Sequence, residues 1–68
     1  MEFPVVEYKG LLWLILTIDG DDNITCINKD GTLDSIGMAS YNLPTEEALK
    51  REGFIIVKHQ TIKEFLSC

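Results

Sequence analysis

The run Gly10-Leu11-Leu12-Trp13-Leu14-Ile15-Leu16-Thr17-Ile18 constrains the fold of this chain more than any other segment. Eight apolar or β-branched residues follow the glycine, and Asp19-Gly20-Asp21-Asp22 closes them off. A helix that crosses a bilayer needs about 20 apolar residues, so no membrane span is expected here. Glu2 and Glu7 stand where a signal peptide would carry its basic region, and no small-residue cleavage site follows. A continuous apolar run has no period of its own, so its flanks decide. Gly10 before it, the acidic turn after it, and its Trp, Ile and Thr content all favour a strand. Side chains alternate along a strand. Leu12, Leu14, Leu16 and Ile18 are therefore expected on one face, with Leu11, Trp13, Ile15 and Thr17 on the other. Both faces are apolar, and both need cover.

Sixty-eight residues make one domain, spanning 1–68. A domain this small buries only about 60% of the surface its unfolded chain exposes. The net charge of −5 argues against direct nucleic-acid binding, which calls for a Lys/Arg surplus to neutralise phosphates. Cys26 and Cys68 are too few for a disulfide framework. With no leader expected, the chain reads as cytoplasmic and both cysteines as thiols. Asn23-Ile24-Thr25 fits a glycosylation sequon, which carries no weight in that compartment.

In chain order, Phe3 to Tyr8 reads as a strand with Pro4 at its start. Lys9-Gly10 fits a two-residue hairpin turn. The long strand follows, then the acidic turn, then a third strand from Asn23 to Asn28. Lys29-Asp30-Gly31 is a strong hairpin signal. A fourth strand is expected from Thr32 to about Tyr41, bent or bulged at Gly37. After Asn42-Leu43-Pro44, Thr45 is the expected N-cap of a short helix over Glu46 to Glu52. Acidic residues open that helix and Lys50-Arg51 close it, as the helix dipole favours. Gly53 and Phe54 then fit a Schellman ending, with Phe54 against Leu49. Phe54 to His59 reads as a fifth strand, apolar on both faces for most of its length. Thr61-x-x-Glu64 is a capping box for a short C-terminal helix. The two helices, through Ala48, Leu49, Ile62, Phe65 and Leu66, are expected to shield one sheet face. The other face then calls for barrel closure or a partner.

Few residues offer chemistry. Asp19, Asp21, Asn23 and Asp30 match positions of a calcium-binding loop, but Ile24 stands where that loop requires glycine and Asp30 where it requires a bidentate glutamate. No metal and no cofactor are expected. His59 is the only histidine and has no clustered Cys or His to join. Cys26 reads as a small core residue. Catalytic residues are therefore expected to be absent, and the chain is not expected to be an enzyme.

Val6-x-Tyr8-x-Gly10-x-x-Trp13-x-Ile15, followed by Asp19-Gly20, a short strand and Asp30-Gly31, resembles the opening of small SH3-like barrels. The resemblance covers residues 5–43. It departs in the tail, where one capped helix precedes the last strand and another follows it. What the resemblance implies is a module that binds a protein segment. The fold class is thus α+β: a mainly antiparallel five-stranded meander or small SH3-like barrel, with one short helix before the last strand and another at the end. The expected function is non-enzymatic protein–protein interaction, on a partner or as a homodimer. Tyr8, Trp13 and Tyr41 are the candidate aromatic anchors, because Tyr and Trp are enriched at binding hot spots. Asp19, Asp21, Asp22, Asp30 and Asp34 are the candidate acidic contacts. In an alternative reading those carboxylates imitate phosphates, and the chain inhibits a basic nucleic-acid-binding enzyme. A third reading makes it an accessory subunit of a larger complex.

Overall fold

Lys9 and Gly10 both adopt positive φ, 53° and 78°, which gives the primed hairpin turn whose twist matches that of paired strands. It joins β1 (Phe3–Tyr8) to β2 (Leu11–Ile18). The structure, a computed structural model, describes residues 1–67; the expectation for Cys68 lies outside them. The next two turns share one geometry. Between β2 and β3 (Asn23–Ile27), the N–H of Asp19 bonds the carbonyl of Asn23 and that of Asp22 the carbonyl of Asp19, with Asp22 at φ 65°. Between β3 and β4 (Leu33–Met38), Asn28, Thr32 and Gly31 repeat the arrangement, with Gly31 at φ 82°. In each, the first side chain's Oδ1 accepts two N–H groups further on, those of Asp21 and Asn23 or those of Asp30 and Thr32.

The four strands form an antiparallel meander, and β5 (Ile55–Gln60) adds beside β1 rather than beside β4. The sheet order is β4-β3-β2-β1-β5. The sheet is open, so the closure that the barrel resemblance implies does not occur. The fourth strand stops at Met38, short of the expected Tyr41, and carries the expected bulge at Ile36-Gly37, where three β4 steps face two on β3. Val57 bulges from β5 in the same way.

α1 (Thr45–Arg51) begins one residue before the expected start. Pro44, at ψ 142°, is its N-cap and Thr45 is its first helical residue, with no side-chain cap. The ring of Pro44 already fixes φ, and the Pro44 carbonyl accepts the Ala48 N–H at 2.9 Å. The helix ends in the expected Schellman motif: Phe54 N–H to Leu49 O and Gly53 N–H to Lys50 O, both 3.0 Å, with Gly53 at φ 88°. α2 (Ile62–Leu66) starts on the expected capping box, in which Glu64 N–H bonds Thr61 Oγ1 at 3.1 Å and Thr61 N–H bonds Glu64 Oε1 at 2.8 Å.

The two helices lie on opposite faces of the sheet, which corrects the expectation that they share one. Ala48 and Leu49 of α1 pack with Val6, Trp13, Ile15, Ile24, Cys26 and Ile36. Phe65 of α2 packs with Val5, Leu14 and Ile27 on the other side. A helix of five residues suffices there because the sheet turns polar beyond it. Thr17 pairs with Thr25, and Thr25 with Ser35, so three hydroxyls line up across β2, β3 and β4 on the face of Ile27. The expected alternation of β2 also fails at one point. Two residues of β2, Leu16 and Thr17, follow Ile15 against a single step from Cys26 to Thr25 on β3. This bulge sends Ile18 to the α1 side with Trp13 and Ile15, while Leu16 stays with Leu12 and Leu14. A bulge in a strand apolar on both sides leaves no trace in the hydrophobic pattern. β5, expected to be apolar on both faces, is mostly exposed; only Ile56 joins the α1-side core.

Candidate functional site

Two aromatic candidates are drawn into the fold. Trp13 is 8% exposed, and its indole N–H donates to the carbonyl of Tyr8 at 3.3 Å. Its position on β2 faces α1, so it serves the core and is withdrawn from partner contact. Tyr8 is half-buried, with its ring 5.3 Å from that of Phe54 and Lys9 Nζ 5.4 Å above it. Tyr41 is 52% exposed.

The five aspartates fall into two groups at opposite ends of β3. Asp19, Asp21 and Asp22 occupy the β2–β3 turn; Asp30 lies in the β3–β4 turn, with Asp34 close by on β4, opposite Cys26. At about 3.3 Å per residue, Asp34 is held roughly 13 Å from Asp22 along β3, and Asp30 lies farther still. The oxygens of the calcium-loop spacing therefore do not converge. Asp19 Oδ1 is in any case taken up by the amides of its own turn.

The β2–β3 turn gains two neighbours that sequence spacing could not supply. Asp22 Oδ1 accepts the Tyr41 N–H at 3.1 Å, and its carbonyl accepts the Ala39 N–H at 2.9 Å. Glu52, at the C-cap of α1, shares with Asp22, Met38 and Ser40 a cleft of about 250 Å3. Asp19, Asp21, Asp22 and Glu52 thus form an acidic corner flanked by Tyr41 and by Met38, 58% exposed. Among the described residues, the one contact of salt-bridge geometry is His59 Nε2 with Glu46 Oε2 at 3.1 Å, so no carboxylate of the corner has a Lys, Arg or His within pairing distance. Glu52 and Met38 were missed by sequence reasoning, because the packing of α1 brings Glu52 there and the bulged β3–β4 register, which pairs Met38 with Asn23, brings Met38.

Cys26 is fully buried, and its Sγ lies 3.4 Å from the carbonyl of Asp34. Burial pushes its thiol up to about 11; the negative charge of Asp34 adds to the rise, and the N–H of Ile36 opposes it. A thiol of this kind is protonated at neutral pH and a poor nucleophile. A second cleft, of about 320 Å3, is lined by Phe3, Pro4, Ile15, Leu16 and Pro44 together with Glu2 and Glu46, whose carboxylate contacts His59. No helix among the described residues is long and apolar enough to cross a membrane.

The class these observations define is a small α+β domain: an open five-stranded antiparallel sheet with one short helix on each face. Comparison with known proteins finds no matching family model, no matching curated protein and no matching solved structure.

Proposed function

We propose that this chain is a small acidic binding protein that works by contact with a basic protein and not by catalysis. The acidic corner supports the reading. Four carboxylates without cationic partners flank two exposed side chains, Tyr41 and Met38, of types enriched at interface cores. Carboxylates of this kind steer a basic partner and set its orientation, while the aromatic and thioether groups supply the desolvated contact. The inhibitor reading, in which all five aspartates imitate phosphates together, has less support, because the length of β3 separates them into two groups. Each helix covers one face, so the fold no longer calls for a second copy to complete its core.

Affinity capture with two charge-neutralised variants tests the reading. Asp19→Asn/Asp21→Asn/Asp22→Asn/Glu52→Gln is expected to lose the partners held by the wild-type chain. Asp30→Asn should retain them. Equal capture by both variants and the wild type would exclude the corner as the binding surface.

A further inference from the structure

The outer edge of β4 carries an unusual contact. The Ser35 N–H points away from β3 and is bonded by Oδ1 of the preceding Asp34 at 2.7 Å. A free strand edge is a template for any extended chain, and here its central donor is occupied by a carboxylate. We infer that the β4 edge accepts an extended basic segment of another protein as a sixth strand, admitted when its cation draws Asp34 off the Ser35 N–H. This rests on the acidic-surface reading above and names the partner's form.

Charge selects the occupant. Asp34 lies on the α1 side of the sheet, because it pairs with Cys26, and the acidic corner with Glu52 lies at the far end of the same strand. From Cys26, which Asp34 faces, to Asp22 is four steps along β3, or about 13 Å at 3.3 Å per residue. An extended segment with two basic residues four positions apart presents both on one face at that spacing. One reaches Asp34, with Asp30 nearby, and the other reaches Asp22 and Glu52. Leu33, 65% exposed, offers an apolar contact on the opposite face. A neutral strand finds the Ser35 N–H already bonded, and an acidic one is repelled. A second copy, with net charge −5, would bring Asp34 against Asp34 in a symmetric β4 pairing. The β5 edge, bulged at Val57 and bearing Lys58, lacks the acidic character that would draw the same segment.

The test uses a capped octapeptide of alternating Val and Thr with Arg at its second and sixth positions, titrated into the labelled full chain. The expected result is one-to-one binding, with the Leu33 and Ser35 amides shifted and protected from hydrogen exchange. Ser35→Pro removes an N–H that β3 does not use and keeps every charge, so it should abolish binding with the fold intact. Asp34→Asn should weaken binding by about tenfold or more, the effect of losing a charge-assisted contact. If Ser35→Pro binds as well as wild type, and shifts are confined to residues 19–22 and 52, the edge inference is overturned and the acidic-corner reading stands. Absence of binding at millimolar peptide overturns the inference too, while the corner remains to be judged by affinity capture. If the free chain grows in mass with concentration during sedimentation and Ser35→Pro stops that growth, a second copy is the occupant, and the inference is again overturned.

Discussion

Lys29 and Phe65, thirty-six residues apart, are joined twice: Lys29 Nζ donates to the Phe65 carbonyl at 2.7 Å and lies 4.3 Å above the centre of its ring. This clamp holds α2, a helix far too short to persist alone, on the face it covers. Lys29→Met keeps the alkyl chain and removes both polar contacts. Urea titration should show a loss of about 1–3 kcal/mol, the range of a hydrogen bond to a charged donor together with a cation–π contact. An unchanged midpoint would mean that the clamp contributes nothing.

Phe65 is the only buried residue of α2 and is fully buried. Phe65→Ala should cost about 3–5 kcal/mol, comparable to the whole stability that a core of this size supplies. Circular dichroism at room temperature should therefore find the variant largely unfolded. Phe65→Leu keeps most of the volume and should still unfold cooperatively. A cooperative, stable Phe65→Ala chain would show that the α2 face needs no cover.

Lys9 occupies a left-handed conformation without being glycine. Asparagine tolerates that region better, so Lys9→Asn should raise stability by about 0.5–1 kcal/mol through relief of backbone strain. The Lys9 ammonium also sits over Tyr8, a half-exposed contact that offsets part of the gain. A fall in thermal midpoint would rank the cation–π contact above the strain.

Cys26 makes stability depend on alkaline pH. Its folded pKa, pushed up to about 11, lies above the ordinary value of 9.0. The neutral thiol therefore stabilises the fold fully below pH 9, and that contribution is lost as pH rises through 11. Linkage puts the loss at about 2–3 kcal/mol. Denaturation of the wild type between these limits should weaken more steeply than that of Cys26→Ala. At neutral pH, iodoacetamide should modify Cys26 only as fast as the chain unfolds; rapid labelling at Cys26, read by peptide mapping apart from Cys68, would contradict the buried, protonated thiol.

Signals carried by a few adjacent residues were legible in the sequence. The Gly53-Phe54 ending, the Thr61–Glu64 box and the Asp30-Gly31 turn have the geometry their residue types dictate, and Gly10 supplies the positive φ expected of it. What depends on contacts distant in sequence was not legible. Nothing local says that β5 joins β1 and not β4, or that α1 and α2 part to opposite faces. The Leu16 bulge is hidden because every neighbour is apolar. The site divides in the same way. Asp19, Asp21 and Asp22 could be named from spacing alone, and Tyr41 as an aromatic of the type found at hot spots, though not which of the three aromatics is exposed. The separation of Asp30 and Asp34 from them follows only from strand register, as the recruitment of Glu52 follows only from α1 packing.

The two turns that flank β3 give the molecule an internal control. They share hydrogen bonds and backbone signs, yet Asp22 takes the left-handed position that Gly31 holds in the other. Five-residue geometry and acidic content are therefore separable, and the turns are interchangeable modules. Grafting Asn28-Lys29-Asp30-Gly31-Thr32 in place of Asp19-Gly20-Asp21-Asp22-Asn23 would keep the hairpin, remove two of the three turn carboxylates and set a lysine beside the third. The proposed contact surface thus lies in part on a loop that the fold can exchange without relearning how to turn.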